Sequence, residues 1–333
     1  MPGSPAPGHS QLTRVIGMLC KAGLSVLLIW WVSASIDIGR LRTTIADLQP
    51  RSVALAALLM VLQTAIIGWR WHRIVRFLGG SLPPVKAIHW VFEGLFFSQT
   101  LPTSVGGDVV RIWNLHRHGS APGVAFSSVA IERGTGVVLL GLLVTLCLPW
   151  VWASLSDPLL RASLLAVGPC LLAGLVFVGV GYKSLVAWLP GRVATLSTGL
   201  GSGLRQLGNS PRALLEISSL GIVASLTGIL AACVIGSDLN IGLAFPAFVV
   251  LVGGAALFSV LPISLGGWGV REVGMVALFG AVGVAPERAL TLSILWGLLP
   301  VLISLPAGLL WWAGGAPGRE GRTHDSSMAA RGK

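Results

Sequence analysis

Charge is what this sequence has least of. Only 11% of its 333 residues are charged, against about 25% in an ordinary soluble domain. Apolar residues fill 54% of the chain and mean hydropathy is +0.83, which excludes a soluble globular enzyme and predicts an all-α polytopic membrane protein. Cysteine is scarce too. Cys20, Cys147, Cys170 and Cys233 all lie in apolar segments with no CxxC spacing, so neither a zinc site nor a redox pair is expected. The six histidines show no HExxH spacing. A nucleotide-binding loop and a nucleophile with a partner are also missing, so no catalytic residue, metal ligand or cofactor is expected. No A-x-A-like cleavage site follows the first apolar run.

Acidic residues are outnumbered, 12 against 23 Lys and Arg, for a net charge of +11. The basic residues fall between apolar runs, where they act as orientation signals and headgroup contacts, so nucleic acid is not an expected partner. Membrane lipids with an anionic or lipid-linked headgroup are. Thirteen tryptophans, among them Trp30, Trp31, Trp69, Trp71, Trp150, Trp152, Trp311 and Trp312, cluster near run ends and read as interfacial anchors.

What the chain does have is long apolar runs and a repeat. Runs of about 20 residues, enough to span a bilayer, occur at Val15–Ser35, Ser52–Trp69, Phe126–Trp150, Leu160–Val180, Ala213–Ile235 and Leu290–Trp312. Residues 1–14 and 313–333 are expected to be disordered tails flanking one membrane domain, 15–312, built of half-repeats 15–155 and 156–312. The segment Leu101-Pro-Thr-Ser-Val-Gly-Gly-Asp-Val-Val-Arg111 returns 160 residues later as Leu261-Pro-Ile-Ser-Leu-Gly-Gly-Trp-Gly-Val-Arg271, with seven of eleven positions identical. Both copies interrupt apolar stretches, Ala87–His118 and Gly242–Val284. Lipid offers no hydrogen-bond partners, so a backbone break survives there only when protein buries it or it lines a wet cavity. Paired Gly/Pro-interrupted segments point to the binding site of a transporter.

Loop charges suggest how these segments run. Arg70, Arg73, Arg76 and Lys86 precede the first copy, and Arg111 and Arg117, beside His116 and His118, lie within or after it. Both flanks are therefore expected in the cytoplasm, which makes the segment a re-entrant hairpin. Lys183, Arg192, Arg205 and Arg212 mark a long cytoplasmic middle loop, while the Asp238–Asn240 region carries no basic residue and is expected outside. By the same parity the Asp37–Arg51 loop falls outside despite Arg40, Arg42 and Arg51. Three crossings then separate the copies, and the second hairpin enters from the opposite face. The expected architecture is about six transmembrane helices plus two re-entrant hairpins in an inverted repeat, with both termini cytoplasmic. Were the copies full spans, the halves would be parallel repeats instead.

The motif residues suggest anion chemistry. Pro102 and Pro262 should stop each inward helix near Leu101 and Leu261, leaving Ser104 and Ser264 to cap the outward ones. Gly106, Gly107, Gly266 and Gly267 leave backbone N–H groups open at helix ends that favour anions. Close hairpin packing is the simpler use of the same glycines. Seven ionisable residues, Glu93, Asp108, Arg111, Glu132, Arg133, Arg271 and Glu272, sit in or beside apolar segments. At about 2.5–3.5 kcal/mol each at mid-membrane, seven lipid-facing charges would cost roughly 20 kcal/mol. That exceeds a usual domain stability of about 5–15 kcal/mol, so they must pair, line water or lie near the interface. Asp108 and Arg111, three apart, can pair on one helix face, whereas adjacent Glu132 and Arg133 point apart and can each reach another partner. Arg111 and Arg271 are expected to supplement the helix ends as anion ligands, and one of Glu93, Asp108 and Glu132 to titrate.

The ordered set Leu101-Pro102, Gly106-Gly107-Asp108, Arg111, Glu132-Arg133, Leu261-Pro262, Gly266-Gly267 and Gly269-Val270-Arg271-Glu272 resembles the lysylphosphatidylglycerol synthase transmembrane family, also called flippase-like or UPF0104. The resemblance covers roughly residues 15 to 312 and implies translocation of a lipid, or a related lipid task, in a bacterial inner membrane. In the family's best-known members a separate cytosolic domain attaches the amino acid. That domain is expected to be absent here, so lysyl transfer does not carry over, nor does the substrate. Three functions follow as expectations: a translocase for a phosphate-bearing lipid or lipid-linked intermediate; a non-transporting partner of a lipid or glycan biosynthetic enzyme; and a polyprenyl-phosphate transferase using Glu93, Asp108 or Glu132 as base or Mg²⁺ ligands.

Overall fold

A computed structural model of the chain describes residues 48–100, 105–186, 191–260 and 268–313. The described residues form ten α-helices and no strand. They are α1 Pro50–Phe77, α2 Pro84–Thr100, α3 Gly106–Arg117, α4 Pro122–Cys147, α5 Pro158–Val186, α6 Gly191–Gly208, α7 Pro211–Asp238, α8 Phe245–Val260, α9 Val270–Gly280 and α10 Pro286–Ala313. Six of the ten begin on proline, whose fixed φ suits the first helical position and whose missing N–H is no loss there. Five helices are long and apolar enough to cross a membrane: α1, α4 with its 3₁₀ extension to Trp150, α5 to Gly181, α7 and α10. They coincide with five of the expected spans. The sixth, Val15–Ser35, lies outside the described residues, as do both expected tails apart from Ala313.

The two interrupted stretches are hairpins of short helices. Helix α2 is described to Thr100 and α8 to Val260; the Leu-Pro pairs that follow, where the inward helices are expected to stop, lie outside the described residues. Helices α2 and α3 pack together, and so do α8 and α9. In the first hairpin the approach is backbone to backbone, since a Cβ on Gly107 would fall on the Gly94 carbonyl. In the second, a Cβ on Gly274 would stand an ordinary 3.6 Å from Ala255. Small residues at such crossings are how membrane helices gain contact, because lipid is as apolar as the side chains it would replace.

Helices α1 and α7 pack against each other and run antiparallel. At one end Arg73 pairs with Glu216 at 2.5 Å, and Arg70 Nε donates to the Ile217 carbonyl at 3.0 Å. At the other, the Gln49 amide donates to Asp238 at 3.0 Å. The feet of the first hairpin belong to the Arg73 end, where His72 Nδ1 lies 2.6 Å from the Leu82 carbonyl and the Trp90 and His118 rings meet edge to face at 5.6 Å. Those of the second lie at the Asp238 end, where Arg288 Nη1 donates to the Asn240 carbonyl at 2.8 Å. The hairpins therefore enter the bundle from opposite ends. Their packing also exchanges: α2 lies against α10, and α8 against α4. The larger core joins α1, α4, α7, α8, α9 and α10, with Phe248 and Phe279 stacked edge to face at 5.8 Å.

The expected middle loop is corrected by the structure. Gly191–Gly208 is a helix, α6, lying on α4 and α5. Leu200, Leu204 and Leu207 recur at helical spacing and pack against Ile74, Ile131 and Ile217. A Cβ on Gly203 would come within 2.9 Å of Ile131. Glycine costs about 1 kcal/mol per helical position, and tertiary packing overrides that penalty here. Arg70, Arg73 and Arg76 are likewise not loop residues; they belong to the last two turns of α1.

Candidate functional site

Buried charge gathers where the returning helix of the first hairpin meets α1 and α4. Arg111, 3% exposed, comes from the second turn of α3. Its Nη1 donates to Glu132 Oε2 of α4 at 3.0 Å and lies 3.5 Å from Asp108 Oδ1. Its guanidinium lies over the Trp71 ring, Cζ 4.4 Å from the centroid, a cation–π contact that gains strength away from water. Trp71 is held in turn by donation from Nε1 to Ser128 Oγ at 3.1 Å. Arg70, 2% exposed, reaches the same carboxylate from α1, with Nη1 at 3.7 Å from Glu132 Oε1. Its remaining donors go to Thr135 Oγ1 at 2.7 Å and to the Ile217 and Glu132 carbonyls. Gly221 of α7 makes this possible, because a Cβ there would stand 2.9 Å from Arg70 Cζ.

Glu132 and Arg133 point apart. Glu132 faces inward to the two arginines, and Arg133, half exposed, faces outward and donates through Nε to Asp108 at 3.0 Å. Asp108 thus lies nearer Arg133 than Arg111. Glu93, 6% exposed on α2, accepts from Asn114 Nδ2 at 2.8 Å and lies 3.0 Å from His89 Nε2. It is bound within its own hairpin and shares no hydrogen bond with the arginine cluster among the described residues. Gly106 and Gly107 open α3 and are buried. The residue at the N-cap is Val105, with no side-chain cap. Ser104 lies outside the described residues, as do Ser264, Gly266 and Gly267.

The second hairpin is built differently. Helix α9 starts only at Val270, four residues later in the repeat than α3. The delay comes from Gly269, whose φ of 87° is left-handed and natural only to glycine, and from Glu272. One oxygen of Glu272 accepts the Gly269 amide, a carboxylate cap on the helix end. The other accepts from Arg271 Nε at 3.0 Å and Nη2 at 2.6 Å, and from Ser293 Oγ at 3.3 Å. Arg271 lies over Trp268, Cζ 4.5 Å from the centroid. Gly297 on α10 leaves its guanidinium room, since a Cβ at that position would overlap it.

The two motif copies are therefore not joined in a single cluster. The structure brings Asp108, Arg111, Glu132 and Arg133 together on one hairpin and Arg271 with Glu272 on the other. Sequence reasoning missed Arg70, Thr135, His89, Asn114 and Ser293. Arg70 follows an apolar run and reads as an orientation charge; only its position between Trp69 and Trp71 hints at burial. No group of three or more His, Cys, Asp or Glu side chains that could hold a metal occurs among the described residues. Apart from the buried cluster, a cavity of about 220 Å³ lies at the basic end between Arg73, Arg76 and Glu216.

An all-α bundle with five helices long and apolar enough to cross a membrane, and two hairpins of short helices, is a multi-pass membrane protein. The chain belongs to the family described as the lysylphosphatidylglycerol synthase TM region, which it matches over residues 18–308. It is similar to a UPF0104 membrane protein of Methanocaldococcus jannaschii, 31% identical over 112 residues, or 33% of each chain. It is also similar to the glycosyltransferase AglD of Haloferax volcanii, 26% identical over 333 residues. That alignment covers 86% of this chain but 52% of AglD, so the chain spans about half the length of this relative or less of the other.

Proposed function

We propose that this chain moves a phosphate-bearing lipid, or a lipid-linked intermediate, between the leaflets of a bacterial inner membrane, its halves forming an inverted repeat with both termini cytoplasmic. The observation that carries this reading is the pair of hairpins entering from opposite ends, each with a buried arginine on its returning helix. A charge buried among apolar helices marks a substrate or ion pathway by default, and discontinuous helices are where transporters bind their cargo. Ser104, Gly106, Gly107, Asp108 and Arg111 would approach the headgroup from one side, and Ser264, Gly266, Gly267, Arg271 and Glu272 from the other. Purified protein in liposomes is expected to accelerate transfer of a labelled anionic lipid. Rates equal to those of empty liposomes across several headgroup classes would overturn the proposal.

A second reading has its own support. The similarity to a protein named a glycosyltransferase favours a role as a membrane partner in glycan or lipid biosynthesis. Co-purification of such an enzyme, with a normal phenotype in Arg111→Ala and Arg271→Ala cells and a defect only on deletion, would decide for it. A polyprenyl-phosphate transferase has less support, because Glu132 and Asp108 are committed to arginines and Glu93 to His89 and Asn114. Turnover of a lipid-linked sugar that disappears in Asp108→Asn would revive it.

A further inference from the structure

A guanidinium offers its donors along its rim. The edge formed by Nε and one Nη matches the two oxygens of a carboxylate or phosphate, which makes bidentate pairing there the strongest contact arginine forms. Both hairpin arginines lie over a tryptophan ring, Arg111 over Trp71 and Arg271 over Trp268. They differ at the edge. In Arg271, Nε and Nη2 converge on Glu272 Oε1 at 3.0 and 2.6 Å. In Arg111 the corresponding Nε and Nη2 are buried and have no hydrogen-bond partner among the described residues. Only Nη1 is used, by Glu132 and Asp108.

An unpaired buried donor on a charged group is costly, so this edge is a place where a partner is owed. Charge states the sign of that partner. Arg70, Arg111 and Arg133 face the two carboxylates Asp108 and Glu132, leaving one positive charge over. Glu93, held by Asn114 and His89, forms no ion pair with an arginine of this cluster among the described residues. Two more polar groups beside the hairpin tip, Ser98 Oγ and Gln99 Oε1, are buried without partners as well. Ser98 Oγ lies where a Cβ on Gly107 would come within 2.3 Å of it, so glycine there keeps the hydroxyl close to the first turn of α3. The repeat supplies an internal precedent: Glu272 places a carboxylate on the Arg271 edge, and its counterpart in the first copy is Ile112.

We infer that the Nε/Nη2 edge of Arg111 is a binding site for one oxyanion, of the phosphodiester or phosphate class, and that the second hairpin carries no equivalent because Glu272 occupies its place. This rests on the reading of the hairpins as the headgroup-handling elements and narrows it: one half recognises the anion, and the other is self-neutralised. Arg271 then leaves the set of anion ligands and becomes a helix-positioning residue.

The test uses the full chain labelled with ¹⁵N-arginine. The Nε–H resonances of Arg111 and Arg271 are assigned from Arg111→Lys and Arg271→Lys, each of which removes one signal. In detergent micelles, inorganic phosphate is titrated; in a second arm the protein is placed in nanodiscs with or without phosphatidylglycerol. The Arg111 Nε–H is expected to move downfield and saturate, while that of Arg271, already bonded to Glu272, stays where it is. Movement with inorganic phosphate identifies a free oxyanion as sufficient, and movement only with phosphatidylglycerol identifies the lipid headgroup; both support the site. In Arg111→Lys, which keeps the charge but loses the edge, retention of the active ligand is expected to fall by about tenfold or more. An Arg111 resonance that responds to neither ligand, with the Arg271 signal still reporting a folded protein, overturns the inference. Equal movement of both resonances also overturns it. Lipid transfer measured on the same preparations separates the two claims. A shifting Arg111 without transfer keeps the site and removes the translocase, and transfer with a static Arg111 does the reverse.

Discussion

Arg111 and Arg271 occupy the same place in a repeated segment, yet the halves of the molecule neutralise them in different ways. In the first half the acid stands on another helix: Glu132 of α4 holds Arg111 of α3 and Arg70 of α1 together. In the second the acid is the next residue, Glu272, and α10 contributes Ser293 and the space above Gly297. One arginine is a tertiary tie between three helices, the other part of a local helix cap. The hairpins themselves follow suit, glycine on glycine in the first and glycine on alanine in the second. A shared backbone plan thus supports a charge-linked half and a shape-linked half, and substitutions at matched positions should tell them apart.

The sharpest contrast is expected between Gly107→Ala and Gly274→Ala. A Cβ on Gly107 lands on the Gly94 carbonyl, a backbone atom that cannot swing aside. The cost should exceed the roughly 1–3 kcal/mol of ordinary overpacking, and folded protein in detergent should be largely lost. A Cβ on Gly274 stands 3.6 Å from Ala255, and thermal unfolding should move little. Equal tolerance would mean that the first hairpin is not closed as described.

Glu132→Ala comes next. It leaves buried Arg70 without its carboxylate and Arg111 with only Asp108, at 3.5 Å, and breaking a buried pair costs about 3–5 kcal/mol. Glu272→Ala should cost a similar amount, but the two differ in rescue. Removing Arg271 as well should restore much of the loss, since no buried charge then remains in that pair. Removing Arg111 together with Glu132 should restore less, because Arg70 stays behind. Tryptophan-fluorescence melts of the single and double variants give the coupling energies. Equal rescue in both halves would show that Arg70 does not depend on Glu132. Smaller still is Gly221→Ala, which brings a Cβ within 2.6 Å of Leu139 and 2.9 Å of Arg70 Cζ. A loss of about 1–3 kcal/mol is expected, with Gly136→Ala, 3.3 Å from Arg70 Nη1, as the milder comparison.

How much of this was legible beforehand follows from which signals are local. Proline marks the helix starts at positions 50, 84, 122, 158, 211 and 286. That effect acts within a turn and survives in a single sequence. The outward path of Arg133 and the inward path of Glu132 could be read from the 100° step between neighbours. Partners could not. Nothing near Arg70 names Ile217 or Thr135, and α6 hides behind five glycines whose propensity argues against a helix. The asymmetry of the two motif copies was visible as Ile112 against Glu272. Its consequence was not, because it depends on α9 starting four residues late so that Glu272 can fold back on Gly269.

The smallest effect is expected at Arg133, and it closes the comparison between buried and exposed charge. Its side chain is 55% exposed, and its bond to Asp108 spans 3.0 Å. Arg133→Ala does not orphan Asp108, which still lies 3.5 Å from Arg111, so it removes one of two partners and leaves no carboxylate unpaired. Removing Arg133 should therefore leave the melting curve nearly unchanged. It also takes away the cluster's surplus positive charge without touching the Arg111 edge, so oxyanion binding should weaken less than in Arg111→Lys. A melting loss as large as that of Glu132→Ala would show that Arg133 is a structural tie in its own right. The first half would then rest on three interlocked arginines instead of two.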